Sequence, residues 1–102
     1  MIIASSRELV TQALERPEAK RCGIYLLLGE DQGGEVAYVG ETEELATRIR
    51  THLARKAWWS DVALITTKSE DLNKAHIKYL ESRIHEMIKA AGRVRLDNVA
   101  PR

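Results

Sequence analysis

The stretch "CGIYLLLGEDQGGEVAYVGETEELATRIRTHL", residues 22 to 53, constrains the fold of this chain more than any other. Two short apolar runs, GIYLLL at 23–28 and EVAYVG at 35–40, are separated by GEDQGG, whose residues favour turns. EVAYVG sets Val36 and Tyr38 against Ala37 and Val39, the two-residue period of a strand. An antiparallel hairpin is therefore expected, with Tyr25 and Tyr38 able to stand near one sheet face. After Gly40, Thr42 can cap a helix that carries Glu43 and Glu44 in its first turn and Arg55 and Lys56 near its end, an order that suits the helix dipole. Its expected core stripe is Leu45, Ile49 and Leu53.

The flanking sequence adds elements of both kinds. Residues 5–16, SSRELVTQALER, read as a leading helix, with Ser5 and Glu8 at capping-box spacing and Pro17 as a stop. DVALITT at 61–67 follows Trp58 and Trp59 and reads as a third strand. Ser69 or Asp71 opens a long helix to about Ala91, with Leu72, Ala75, Leu80, Ile84 and Met87 or Ile88 inward and Gly92 as its stop. Residues 93–102 add a strand or a tail. The expected architecture is α+β: a small three-stranded antiparallel sheet flanked by helices, with residues 1–20 as a leading helical extension and 21–102 as the domain proper.

Composition narrows the partners. At 102 residues with 44% hydrophobic, the chain can build one core. Sixteen Lys and Arg against fifteen Asp and Glu leave +1, so any nucleic-acid site must be a local patch. Cys22 is the single cysteine, which excludes an internal disulfide and points to a reducing cytosol. With no span-length apolar run and no secretory signal, the expectation is a cytoplasmic protein with no membrane partner. The ending NVAPR carries no natural stop, which leaves open a longer parent protein. Adjacent Trp58 and Trp59 are either an exposed apolar patch for a partner or one packed and one half-buried indole.

Several side chains could carry chemistry. Arg48, His52 and Arg55 fall at i, i+4 and i+7 beside the first helix's apolar stripe, and Glu81 and His85 repeat the arrangement on the last helix. Taken singly, such arginines and histidines are usually snorkelling or solvated, Glu81 is a surface ion-pair partner of Lys78 or Arg83, and the tyrosines are strand aromatics. His85-Glu86 lacks the second histidine of a zinc helix, because Lys89 stands in its place. No Walker loop or nucleophile elbow occurs.

Taken together, "GIY" at 23–25, "YVG" at 38–40, Arg48 and His52 on the following helix, Glu81 on a later helix and Asn98 near the end resemble the GIY-YIG nuclease domain in identity, order and spacing, over about residues 21–98. The resemblance implies a metal-dependent DNA endonuclease. In that reading one divalent cation, Mg2+ or Mn2+ in its place, is held by Glu81, Arg48 binds the scissile phosphate, and Tyr25 and Tyr38 position or activate the attacking water. His52 and Asn98 match supporting positions. DNA contacts are expected from Arg48, Arg50, Arg55 and Lys56, with specificity supplied by attached domains or a protein partner. A phenol is only about one part in a thousand ionised at neutral pH, so a tyrosine base needs nearby cations. Glu41 departs from the family's pattern after the second glycine: facing inward it opposes a phenolate, or it serves as a second metal ligand. The alternative function is a GIY-YIG fold without turnover that binds nucleic acid or protein.

Overall fold

The hairpin at the centre of the fold is longer and tighter than its sequence suggests. The computed structural model describes residues 2–66, 74–92 and 95–96. Strands β2 (Gly23–Asp31) and β3 (Gly34–Thr42) pair antiparallel throughout, from Gly23 opposite Thr42 to Asp31 opposite Gly34. Pairing thus runs through most of the expected six-residue turn and leaves only Gln32 and Gly33 as the loop. The Gly33 amide donates to Asp31 Oδ1 at 2.8 Å, and Gly34 takes a φ of 111°, which a side chain would strain.

Strand β4 (Trp59–Ile65) pairs antiparallel with β2, and its other edge is taken by β1 (Ile2–Ser6). The sheet therefore has four antiparallel strands, not three, and a two-residue β5 (Arg95–Leu96) runs parallel to β3 at Val36 and Ala37. The strand order is β1-β4-β2-β3-β5. The leading segment is correspondingly not one helix: β1 is followed by the short α1 (Val10–Leu14) and a 3-10 turn at Pro17–Lys20. β-branched Ile2 and Ile3 suit an edge strand, and the open side of β4 supplies the backbone partners that the capping-box reading of Ser5 ignored.

Helices cover both faces. Against α1 and α2 (Leu45–Arg55) lie Val10, Leu14, Tyr25, Leu27, Leu45, Ile49, Trp59, Val62 and Leu64. On the other face Ile24, Val39 and Ile77, with Leu26, Ile65, Ile84 and Ile88 packed beside them, seat α3 (Lys74–Ala91). The expected opening of α3 at Ser69 or Asp71, and Leu72, lie outside the described residues. The inward face of α3 is rotated from the expected one: Ile77, Glu81 and His85 are buried, whereas Leu80 and Met87 are exposed. Of the two tryptophans, Trp59 is buried and Trp58 half-buried, so the pair is not an exposed patch. No helix among the described residues is long and apolar enough to cross a membrane.

Candidate active site

Strand register decides which side chains can meet. Tyr25 stands opposite Gly40 and Leu27 opposite Tyr38, so both phenols emerge on the α2 face, their rings stacked with centroids 6.0 Å apart. The Tyr25 ring lies across Gly40 so closely that a Cβ there would fall 2.3 Å from the phenol oxygen. Glycine at position 40 is what lets the hydroxyl reach α2. There His52 Nε2 lies 3.0 Å from it, and the imidazole also packs edge-on to Tyr38 at 5.1 Å.

His52 is inward, and not beside the stripe, because α2 buries Leu45, Ala46, Ile49 and His52 and leaves Leu53 half-buried. Thr42, expected to cap α2, closes the strand-to-helix turn instead: its hydroxyl receives the Glu44 amide and donates to the Glu44 carbonyl. Glu44 is the extended residue at the cap, and its carboxylate accepts from Thr47.

Burial sets the protonation of this cluster. It pushes the Tyr25 phenol well above its ordinary range, reinforced by the charge and hydrogen bonding of Tyr38, opposed by Arg48 and aided by Glu81. Burial also pulls His52 down to about 4, with Lys56 and then Arg48 adding to the effect. At neutral pH the pair is a neutral phenol against a neutral imidazole. In the tautomer with Nε2 unprotonated, Tyr25 donates to it. Tyr25 is therefore unsuited to be the ionised base that the resemblance allows; Tyr38 is only half-buried and carries the Lys56 ammonium 4.7 Å above its ring.

A cavity of about 620 Å³ runs along the same side of α2, lined by Thr42, Glu44, Thr47, Arg48, Thr51, His52, Arg55 and Lys56. Three of the four expected DNA contacts thus share one rim. Arg50 is exposed but is not among the lining residues. A second concavity of about 590 Å³, lined by Leu28, Gly29, Glu30, Glu35, Val36, Trp58, Ser60 and Asp61, holds none of the expected site residues and is acidic.

Glu41 and Glu81 belong to the opposite face. Paired with Ile24, Glu41 leaves β3 toward α3, away from both phenols, and it does not figure among the charges acting on Tyr25. Glu81 is 6% exposed, and burial followed by the charge of Glu41 raises its carboxyl, against a smaller pull from Lys78. The Glu81 charge adds the smallest of the effects that raise the Tyr25 phenol. β5 pairs β3 only at Val36 and Ala37, so among the described residues the Tyr38–Thr42 half of β3 is a sheet edge around which both faces open.

No three His, Cys, Asp or Glu side chains among the described residues are grouped to enclose a metal. Glu41 and Glu81 offer only carboxylate oxygens, donors that suit an ion such as Mg2+, which keeps most of its waters, and not a zinc-type cage. His76 is exposed, and His85 is buried one turn beyond Glu81, its ring nitrogens without a hydrogen bond of good geometry. Asn98 lies outside the described residues. Lys56, expected as a DNA contact, and Lys78, expected as an ion-pair partner of Glu81, take positions that the sequence does not announce, Lys56 over the Tyr38 ring and Lys78 beside Glu41. The i, i+4 step from His52 was the available signal for the first. Comparison of the chain with protein-family models, with curated proteins and with solved structures gave no match.

Proposed function

We propose that this chain is a metal-dependent DNA endonuclease domain of the GIY-YIG type, hydrolysing phosphodiester bonds. The observation that carries the reading is the joined set Tyr38, Tyr25 and His52, drawn from two strands and a helix, beside a groove rimmed by Arg48, Arg55 and Lys56. Core packing alone gives no reason to bury a phenol against an imidazole, because apolar residues of similar volume would fill the space without desolvating polar groups.

Hydrolysis of a phosphodiester needs a seat for the phosphate, a group to orient and deprotonate water, and positive charge where negative charge grows. Arg48 offers a planar guanidinium at the groove, a good match for phosphate oxygens. Tyr38, the more exposed phenol, meets the water. Tyr25, neutral and buried, positions Tyr38 and passes its hydrogen bond to His52. Glu81, with Glu41, would hold the divalent cation, whose chemistry when bound is to neutralise phosphate charge and favour a deprotonated water.

Purified protein with Mg2+ or Mn2+ should nick supercoiled or branched DNA. Glu81→Ala should abolish cutting, and Tyr38→Phe should slow it by about a hundredfold or more. Equal inertness of the wild type and both variants on every DNA form sinks the catalytic reading; DNA binding without cleavage would favour the binding module.

A further inference from the structure

β1 is the outermost strand of the sheet, and no strand among the described residues lies beyond it. Its backbone has one paired edge and one open edge. The Arg7 amide donates to the Ser60 carbonyl at 2.7 Å, in line with the β1–β4 register that sets Ser6 opposite Asp61. Backbone groups alternate in direction along an antiparallel strand, so Ser5 and Ile3 also turn toward β4, while Ile2, Ala4 and Ser6 turn outward. The Ser6 carbonyl accepts the Leu9 amide at 3.2 Å. That leaves the amides of Ala4 and Ser6 and the carbonyls of Ile2 and Ala4 facing outward with no strand to meet them among the described residues.

Nothing in this edge discourages pairing. Exposed sheet edges are ordinarily guarded by lysine, proline or a bulge, whereas Ile2–Ser6 carries no charge and no proline, and its register with β4 runs without a bulge. Arg7, the first charge after the strand, is drawn inward to the carbonyls of Leu53, Lys56 and Trp59. Two exposed apolar side chains flank the edge: Ile2, 69% exposed, at one end and Leu9, 57% exposed, just past the other.

We infer that the outer edge of β1 pairs antiparallel with β1 of a second copy of this chain, about a two-fold axis at Ala4. Ala4 then exchanges two hydrogen bonds with the partner's Ala4, and each Ser6 amide donates to the partner's Ile2 carbonyl. Every outward donor and acceptor named above is matched. The same pairing brings Leu9 alongside the partner's Ile2 and sets no like charges opposite each other within the strands, which is why the strand suits its own copy. Isologous contact of this kind closes at two chains. It is short, so it belongs with weak interfaces, dissociating in the micromolar range. The axis stands perpendicular to the sheet, which puts α2 of both copies on one side of a continuous sheet, their grooves five to seven strand spacings, or roughly 24–34 Å, apart. The pairing does not depend on the proposed function; joined to it, it offers one polyanion two sites.

Sedimentation velocity of the untagged chain, without DNA and over a micromolar concentration series, tests this on the wild type, Ala4→Pro, Ala4→Lys, Ala4→Glu and an equal mixture of the last two. Position 4 is exposed and its amide points away from β4, so each substitution leaves the sheet intact, which thermal melts check. The wild type should pass from monomer to dimer as concentration rises. Ala4→Pro removes two of the four bonds and should weaken the dimer by about tenfold or more. Ala4→Lys and Ala4→Glu each set like charges directly opposite and should weaken it by about fivefold, and mixing the two should restore at least wild-type affinity. A wild type that stays monomeric throughout overturns the second copy as occupant and leaves the edge to an unlike extended segment. A dimer insensitive to Ala4→Pro, or a mixture no tighter than its components, overturns it equally. Dimerisation with these shifts by a chain inert on DNA keeps the inference and sinks the nuclease reading; DNA cleavage by a strictly monomeric chain does the reverse.

Discussion

His52 keeps a neutral imidazole against the Tyr25 hydroxyl, and that has a measurable cost in acid. With its titration lowered from 6.5 to about 4, the unfolded chain takes up a proton that the folded chain refuses, so His52's contribution is complete above the unfolded value and is lost as pH falls from there toward the folded one. Between about pH 7 and pH 5 it alone should remove about 2 kcal/mol of stability. His85, also lowered, acts in the same sense; Glu81, raised, favours the folded state on the acid side and opposes it. Urea unfolding of wild type and His52→Gln at both pH values isolates the residue: the variant should show the shallower pH dependence, and equal slopes would refute the assignment. The meeting of Tyr25, Tyr38 and His52 was legible in the sequence, because a period of two and the glycine opposite Tyr25 leave the phenols on one face. The protonation states were not, since they depend on how completely α2 covers the ring.

At the scale of elements, α2 ends on a contact that no motif announced. The Arg7 guanidinium donates to the Leu53 carbonyl at 3.0 Å, the Lys56 carbonyl at 2.9 Å and the Trp59 carbonyl at 3.2 Å, and it stacks 4.3 Å from the Trp59 ring. It thus satisfies carbonyls at the C-terminus of the helix that holds Arg48 and His52, where a cation is favoured by the dipole. Arg7→Met should lower stability by about 2–3 kcal/mol in denaturant unfolding, and Arg7→Lys should recover only part of it, having no fork. A loss below half a kcal/mol would show the bonds to be inconsequential. Sequence periodicity found α2, β2, β3 and β4 but misjudged α3. Leu80, Ile84 and Met87 fit a helical stripe as well as Ile77, Glu81, Ile84, His85 and Ile88 do. Polar Glu81 and His85 disguised the face that packs, and such residues enter a core-facing stripe where a site demands them.

Across the whole molecule, a net charge of +1 conceals separation. Arg48, Arg55 and Lys56 rim one concavity, while Glu30, Glu35 and Asp61 line the other. A polyanion should therefore bind in one orientation, and the logarithm of its affinity should fall with the logarithm of salt at a slope of about −3, from three phosphate contacts. Arg55→Ala should reduce that slope by about one and Arg50→Ala should leave it unchanged; fluorescence anisotropy over a salt series decides, and equal effects of the two substitutions would remove the groove from the binding surface. The whole arrangement depends on one absence of atoms, the missing side chain at Gly40 beneath the Tyr25 ring. Positions 25 and 40 thus behave as a single sequence variable. The tripeptides GIY and YVG are two halves of one cross-strand lock, and neither can drift without releasing the other.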